Sequence, residues 1–181
     1  MKRRKFLLLT AGFALGASLP LGAKQLPNVV IEPNKLIGLT SDQWQVMDAV
    51  LDHLFPSEST APGAKDIYAT AWLHNALAMP DTEQSHRDFM RDGLLMLEKL
   101  AHKTHQLSFI KLNQEKREST LRTLEQNGEG RAWLKETLRY ILEALLTDPI
   151  YGGNPKSIGW KWLQHQPGFP RPVIGKRYFE L

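Results

Sequence analysis

Six histidines, nineteen carboxylates and no cysteine make up most of the reactive inventory of this 181-residue chain. Without thiols there can be no disulfide, no thiolate zinc or iron–sulfur centre, no C-x-x-C-H haem attachment and no cysteine nucleophile. His102 and His105 stand at i, i+3 in His102-Lys103-Thr104-His105. That spacing brings two imidazoles towards one side of a helix end, where a metal could be held. The competing reading is a solvated helix terminus, because no paired carboxylate motif accompanies them. Asp48 with Asp52 (i, i+4) and Glu115 with Glu118 (i, i+3) place carboxylates side by side on helices, but acids so placed are ordinarily solvated surface. Asp148, Tyr151 and Asn154 form the most site-like cluster. The same residues also describe a helix stop, a tight turn at Gly152-Gly153 and an asparagine turn residue. Gly128-Glu129-Gly130 lacks the third glycine of a dinucleotide fingerprint, and no P-loop or G-x-S-x-G elbow is present. No catalytic, cofactor-binding or metal-ligating residue is assigned from these patterns.

Net charge separates the address from the body. The chain carries 23 bases against 19 acids, a formal +4. Four of the bases (Lys2, Arg3, Arg4 and Lys5) fall in residues 1–23, which contain no acid. The rest is neutral, with 19 bases and 19 acids, and a neutral body offers no electrostatic footprint for nucleic acid.

The basic cluster runs into Phe6-Leu7-Leu8-Leu9 and an apolar stretch broken by Thr10, Gly12, Gly16, Ser18 and Pro20. This is too short and too glycine-rich for a span of roughly 20 apolar residues. A positive start, a short apolar run and small residues at Leu21-Gly22-Ala23 read as a signal peptide over 1–23. It is either cleaved after Ala23 or kept as an anchor. Arg3-Arg4-Lys5-Phe6-Leu7 resembles the twin-arginine motif R-R-x-F-L, with Arg3, Arg4, Phe6 and Leu7 at its defining positions. That route exports proteins already folded, often around a cofactor or a bound partner. The expected location is the periplasm.

The elements behind these residues are helical. Residues 24–39, with Pro27 and Pro33, read as an extended linker, and 40–181 as one helical domain. Thr40 and Gln43 form a capping-box pair. Met47, Val50, Leu51, Leu54 and Phe55 share a face until Pro56. A second helix is expected over Ala64–Met79, burying Ile67, Ala71, Trp72 and Leu77. A third runs over Thr82–Lys103 on Met90, Leu94, Leu97 and Ala101. Asn113 caps a peripheral fourth helix anchored by Leu121 and Leu124. Gly128-Glu129-Gly130 separates it from a fifth over Arg131–Leu146, whose apolar face is Leu134, Leu138, Ile141, Leu142 and Leu145. No sustained period-two alternation occurs, so the fold class is all-α with about five helices. From Thr147 the chain turns irregular and rich in glycine, proline and tryptophan. Such a tail packs on its own helices, on another protein, or on both, and exposed aromatics are common interface anchors.

The stretch Asp148-Pro149-Ile150-Tyr151-Gly152-Gly153-Asn154, followed by Ile158-Gly159-Trp160-Lys161, resembles the signature of the gluconate 2-dehydrogenase subunit 3 family. Leu54-Phe55-Pro56, Pro62-Gly63-Ala64 and the arginine pair ahead of an all-helical body are similar to the same family. The resemblance covers roughly residues 40–172. It departs at Trp162-Leu163-Gln164-His165, where the family commonly has a Leu-Gly turn.

The resemblance implies a small, or gamma, subunit of a membrane-associated, FAD-dependent sugar or sugar-acid dehydrogenase. In that family the large subunit carries FAD, a multihaem cytochrome c subunit often accepts electrons, and the small subunit supplies the twin-arginine signal for the translocase. Catalytic residues would then lie on another polypeptide. Tyr151, Gly152, Gly153, Asn154, Gly159 and Trp160 become the candidates for the partner interface, or for the fold feature that shapes it. The alternatives are a stand-alone periplasmic binding or scaffold protein, or an independent enzyme with a site at His102 and His105 or at Asp148.

Overall fold

The computed structural model describes residues 37–168; the expected signal, most of the linker and residues 169–181 lie outside them. Six α-helices follow in order: α1 Ser41–Leu54, α2 Ala69–Leu77, α3 Gln84–His105, α4 Gln114–Glu125, α5 Gly128–Leu146 and α6 Ile158–Trp162. Single 3-10 turns lie at Phe109–Lys111, Pro149–Tyr151 and Pro155–Ser157. Among the described residues the nearest thing to a strand is one isolated bridge, Glu58 to Ala61. The all-α expectation therefore holds. The sixth helix lies in the segment read as an irregular tail.

α5 is the axis of the domain and packs against every other helix. Trp133 fixes its height. The indole is fully buried and donates from Nε1 to the Met90 carbonyl of α3 at 3.0 Å. Its ring occupies the space over Gly93, where a Cβ would collide with Trp133 Cδ1 and Cγ. Met90, Leu94, Leu97 and Ala101 are all buried along α3, as their spacing predicts.

The capping box at the start of α1 is present in both directions: the Thr40 side chain accepts from Gln43 N, and Thr40 N donates to Gln43 Oε1 at 2.8 Å. Asn113 likewise caps α4, whose buried residues are Thr120, Leu121 and Leu124 near its end. Ile37 and Leu39, ahead of Thr40, are also in the core.

Four expectations need correction. α2 starts at Ala69, not Ala64. Asp66 accepts from Gly63 N at 2.8 Å and from the Ser57 hydroxyl at 2.5 Å, which folds the preceding residues into turns. Tyr68, in the left-handed region at φ 58°, then leads into the helix. Ile67 is buried from that turn, and the helix buries Ala69, Leu73 and Leu77. Ala71 is exposed and Trp72 only half-buried.

α5 starts at Gly128, because the Asn127 side chain accepts from Glu129 N and makes the glycines the first turn rather than a separator. Its apolar face is also rotated: Trp133, Thr137, Tyr140 and Ala144 join Leu134, Ile141 and Leu145 inside. Leu138 and Leu142 are exposed.

Arg87 links two elements. It is 5 % exposed, and its Nε and Nη2 donate at 2.7 Å to the carbonyls of Leu77 and Met79. Carbonyls at a helix C-terminus have no intrahelical partner, and here an α3 side chain supplies one.

Candidate functional site

The residues from Asp148 to Trp160 fold onto the C-terminal end of α5. Thr147 N closes the last turn on the Glu143 carbonyl at 2.8 Å, and Pro149 prevents continuation. Asp148 Oδ1 accepts from Ile150 N at 3.1 Å and caps the 3-10 turn Pro149–Tyr151. Gly152 then takes φ +96°, a conformation that L-residues avoid. Gly153 is buried, and a Cβ there would stand 2.7 Å from Thr147 Cγ2.

Asn154 holds this turn closed. It is fully buried and sits at φ 48° in the left-handed region, which asparagine tolerates better than most residues. Its backbone N–H donates to the Ile67 carbonyl at 3.0 Å, and its carbonyl accepts from Ser157 N at 2.9 Å. Its side-chain Nδ2 donates to the Thr147 carbonyl at 3.0 Å, while Oδ1 accepts from Gly159 N at 2.7 Å. One residue thereby joins the turns before α2, the end of α5 and the start of α6.

Gly159 is buried against α5, where a Cβ would meet Leu145 Cδ1 at 2.7 Å. Trp160, 6 % exposed, donates from Nε1 to the Leu146 carbonyl at 2.7 Å. Beyond it the chain turns through Gln164 at φ 53°, and His165 N donates back to the Trp160 carbonyl at 2.8 Å. Tyr151, Gly152, Gly153, Asn154, Gly159 and Trp160 are thus brought together by the fold. Arg3, Arg4, Phe6 and Leu7 lie outside the described residues.

Tyr151 is half-buried and borders an open cleft of about 500 Å³ between α2 and α5, lined also by Trp72, Met79, Arg139, Tyr140 and Glu143. A chain of polar contacts runs from its wall into an adjoining hollow lined by His86 and Glu136. Trp72 Nε1 donates to Glu143 at 3.4 Å, and Arg139 bridges Glu143 and Glu136. Glu136 lies 3.3 Å from His86 Nε2, and that nitrogen is 2.7 Å from the Tyr140 hydroxyl.

Hydrogen bonding from Arg139 holds the Glu136 carboxyl below the ordinary carboxylate range. The same partners raise the Arg139 guanidinium, Glu136 foremost. Burial pushes the Tyr140 phenol up. At neutral pH Glu136 is therefore anionic and the Tyr140 hydroxyl protonated. The glutamates and Arg139 share one helix, but their union with His86 and Trp72 depends on helix packing.

The other candidates are separate from this region. His102 is exposed and 4.0 Å from Glu98, its helix neighbour one turn earlier. His105 Nε2 is buried without a hydrogen-bond partner. Among the described residues no three His, Asp or Glu side chains gather where they could hold a metal ion. Asp48 accepts from Thr70 Oγ1 at 2.5 Å and Asp52 from Lys65 Nζ at 2.8 Å, so each carboxylate has its own partner. Glu118 is held low, first by its hydrogen bond to His53 and then by Arg122, and Glu115 is exposed. No described helix is long and apolar enough to cross a membrane.

A family model described as gluconate 2-dehydrogenase subunit 3 matches residues 41–168. No curated protein and no solved structure matches the chain. The matched span opens at the first residue of α1 and takes in the whole turn locked by Asn154. What the helices and that turn build is the family's domain, and the chain belongs to the gluconate 2-dehydrogenase subunit 3 family.

Proposed function

We propose that this chain is the non-catalytic small subunit of a periplasmic, membrane-associated, FAD-dependent gluconate or sugar dehydrogenase. It escorts the flavin subunit through twin-arginine export and stabilises it. The observation that carries this reading is the order of parts: Arg3-Arg4-x-Phe6-Leu7 stands ahead of a domain of this family over residues 41–168. A signal for folded cargo has a purpose on a chain that travels bound to a cofactor-bearing partner.

The use of the signature residues supports the same reading. All four polar groups of Asn154 are engaged in hydrogen bonds within the chain, which suits a scaffold better than a reaction centre. FAD would reside in the large subunit, and haem c in a third subunit where one is present.

The test expresses the flavin subunit with and without this chain and assays dehydrogenase activity in periplasmic and membrane fractions. Activity there should depend on the chain, and Arg3→Lys with Arg4→Lys should retain both polypeptides in the cytoplasm. Equal exported activity without the chain would refute the escort role.

A further inference from the structure

α5 carries one row of side chains that the domain leaves uncovered. Arg131, Lys135, Leu138, Leu142 and Leu146 are all exposed and follow one another at steps of four, three, four and four. At 1.5 Å per residue they form a seam about 22 Å long. Leu138, Leu142 and Leu146 are 42 %, 55 % and 48 % exposed, although α5 is the helix that every other helix packs against. The seam is polarised. Its first third is basic, with no described carboxylate within ion-pair distance of Arg131 or Lys135, and its remainder is leucine.

We infer that this seam is the docking line for the flavin subunit of the dehydrogenase, through a helix that is acidic at one end and apolar along the rest; the inference rests on the function proposed above. Charge pattern selects that occupant. Two copies of this chain paired antiparallel would set Arg131 and Lys135 of each over Leu142 and Leu146 of the other. Paired parallel, they would set like charges together, which disfavours association.

A lipid surface calls for a broad apolar face with a basic border. Here the broad apolar face is turned inward, and Glu143, one turn before Leu146, borders the seam with an acid where a base would be needed. A complementary helix neutralises the basic end and covers the leucines at the spacing of helix-to-helix packing. Three leucines fall well short of the ~800 Å² per partner of a standard interface. The contact therefore extends to the adjoining row of Arg139, Glu143 and Thr147, which borders the α2–α5 cleft.

The chain has no cysteine, so Leu142→Cys in the full chain takes a single nitroxide label, and Glu115→Cys on α4 supplies the comparison. The Leu142 label should be mobile in the isolated monomer and become immobilised when the flavin subunit is added, while the Glu115 label stays mobile. Adding Leu138→Glu and Leu146→Glu should weaken capture of that subunit at least tenfold with the helical circular dichroism unchanged.

A Leu142 label that stays mobile in a complex that forms overturns the seam and spares the proposed function. A chain that captures no dehydrogenase subunit at all overturns both. Immobilisation in the monomer, at high concentration alone, or on anionic phospholipid vesicles alone would assign the seam to this chain's own ends, a second copy or a membrane, and each would overturn the inference.

Discussion

Replacing Asn154 by alanine should cost this domain more than any other single polar change in the C-terminal turn. The substitution removes the donor to Thr147 O and the acceptor of Gly159 N, both in the packed junction of α5 and α6. An unsatisfied buried polar group costs about 1–3 kcal/mol. Alanine at φ 48° adds about 1 kcal/mol or more, because its Cβ crowds the backbone in the left-handed region. The expected loss is about 3–7 kcal/mol. With a urea dependence of about 2 kcal/mol per molar, the unfolding midpoint should fall by about 1.5–3.5 M.

Asn154→Gly provides the internal control. It loses the same two hydrogen bonds but not the backbone preference, and should recover about 1 kcal/mol relative to alanine. Equilibrium unfolding of the full chain, followed by tryptophan fluorescence and far-ultraviolet circular dichroism, reads both variants. If alanine lies within about 1 kcal/mol of wild type, the hydrogen-bonding argument fails. If glycine matches wild type, backbone conformation alone accounts for the asparagine.

Two further outcomes follow from the geometry. Gly93→Ala should destabilise by about 1–3 kcal/mol and lower the thermal midpoint, because the new methyl enters the space of the Trp133 ring; an unchanged melt would show that α3 and α5 can separate freely. Asp66 has its pKa lowered, first by the Gly63 N–H and then by the Ser57 hydroxyl. Its contribution to stability is therefore present above the ordinary aspartate pKa of about 4 and is lost as pH falls through the lower folded value. The stability difference between wild type and Asp66→Asn should shrink on acidification, and a gap independent of pH between 6 and 2 would refute that linkage.

Local chemistry was legible wherever it is settled by neighbours in the chain. The Thr40–Gln43 box, the Asn113 cap, the halt at Pro149 and the stripe from Met90 to Ala101 each involve residues within a few turns of one another. The start of α2 was not legible. Asp66 preserves helical periodicity on paper, but in the fold it gathers Ser57 and Gly63 into turns. The rotation of α5 was hidden for a related reason. Apolar residues cover more than half of that helix, so period alone gives an amphipathic helix without saying which edge faces inward.

From the sequence alone come the fold class, the exclusion of thiol chemistry and the signature that points to the family. These rest on composition, local spacing and residue identity, which no packing can alter. Tertiary structure decided what the signature does and what α5 exposes. Asn154 acts through Ile67, far away in sequence, and Trp133 can enter the core only because Gly93, forty residues earlier, leaves room for it. Once Trp133 is seated, Leu138 and Leu142 are carried to the outside. Which leucines remain free for a partner is a consequence of one aromatic ring meeting one glycine across two helices.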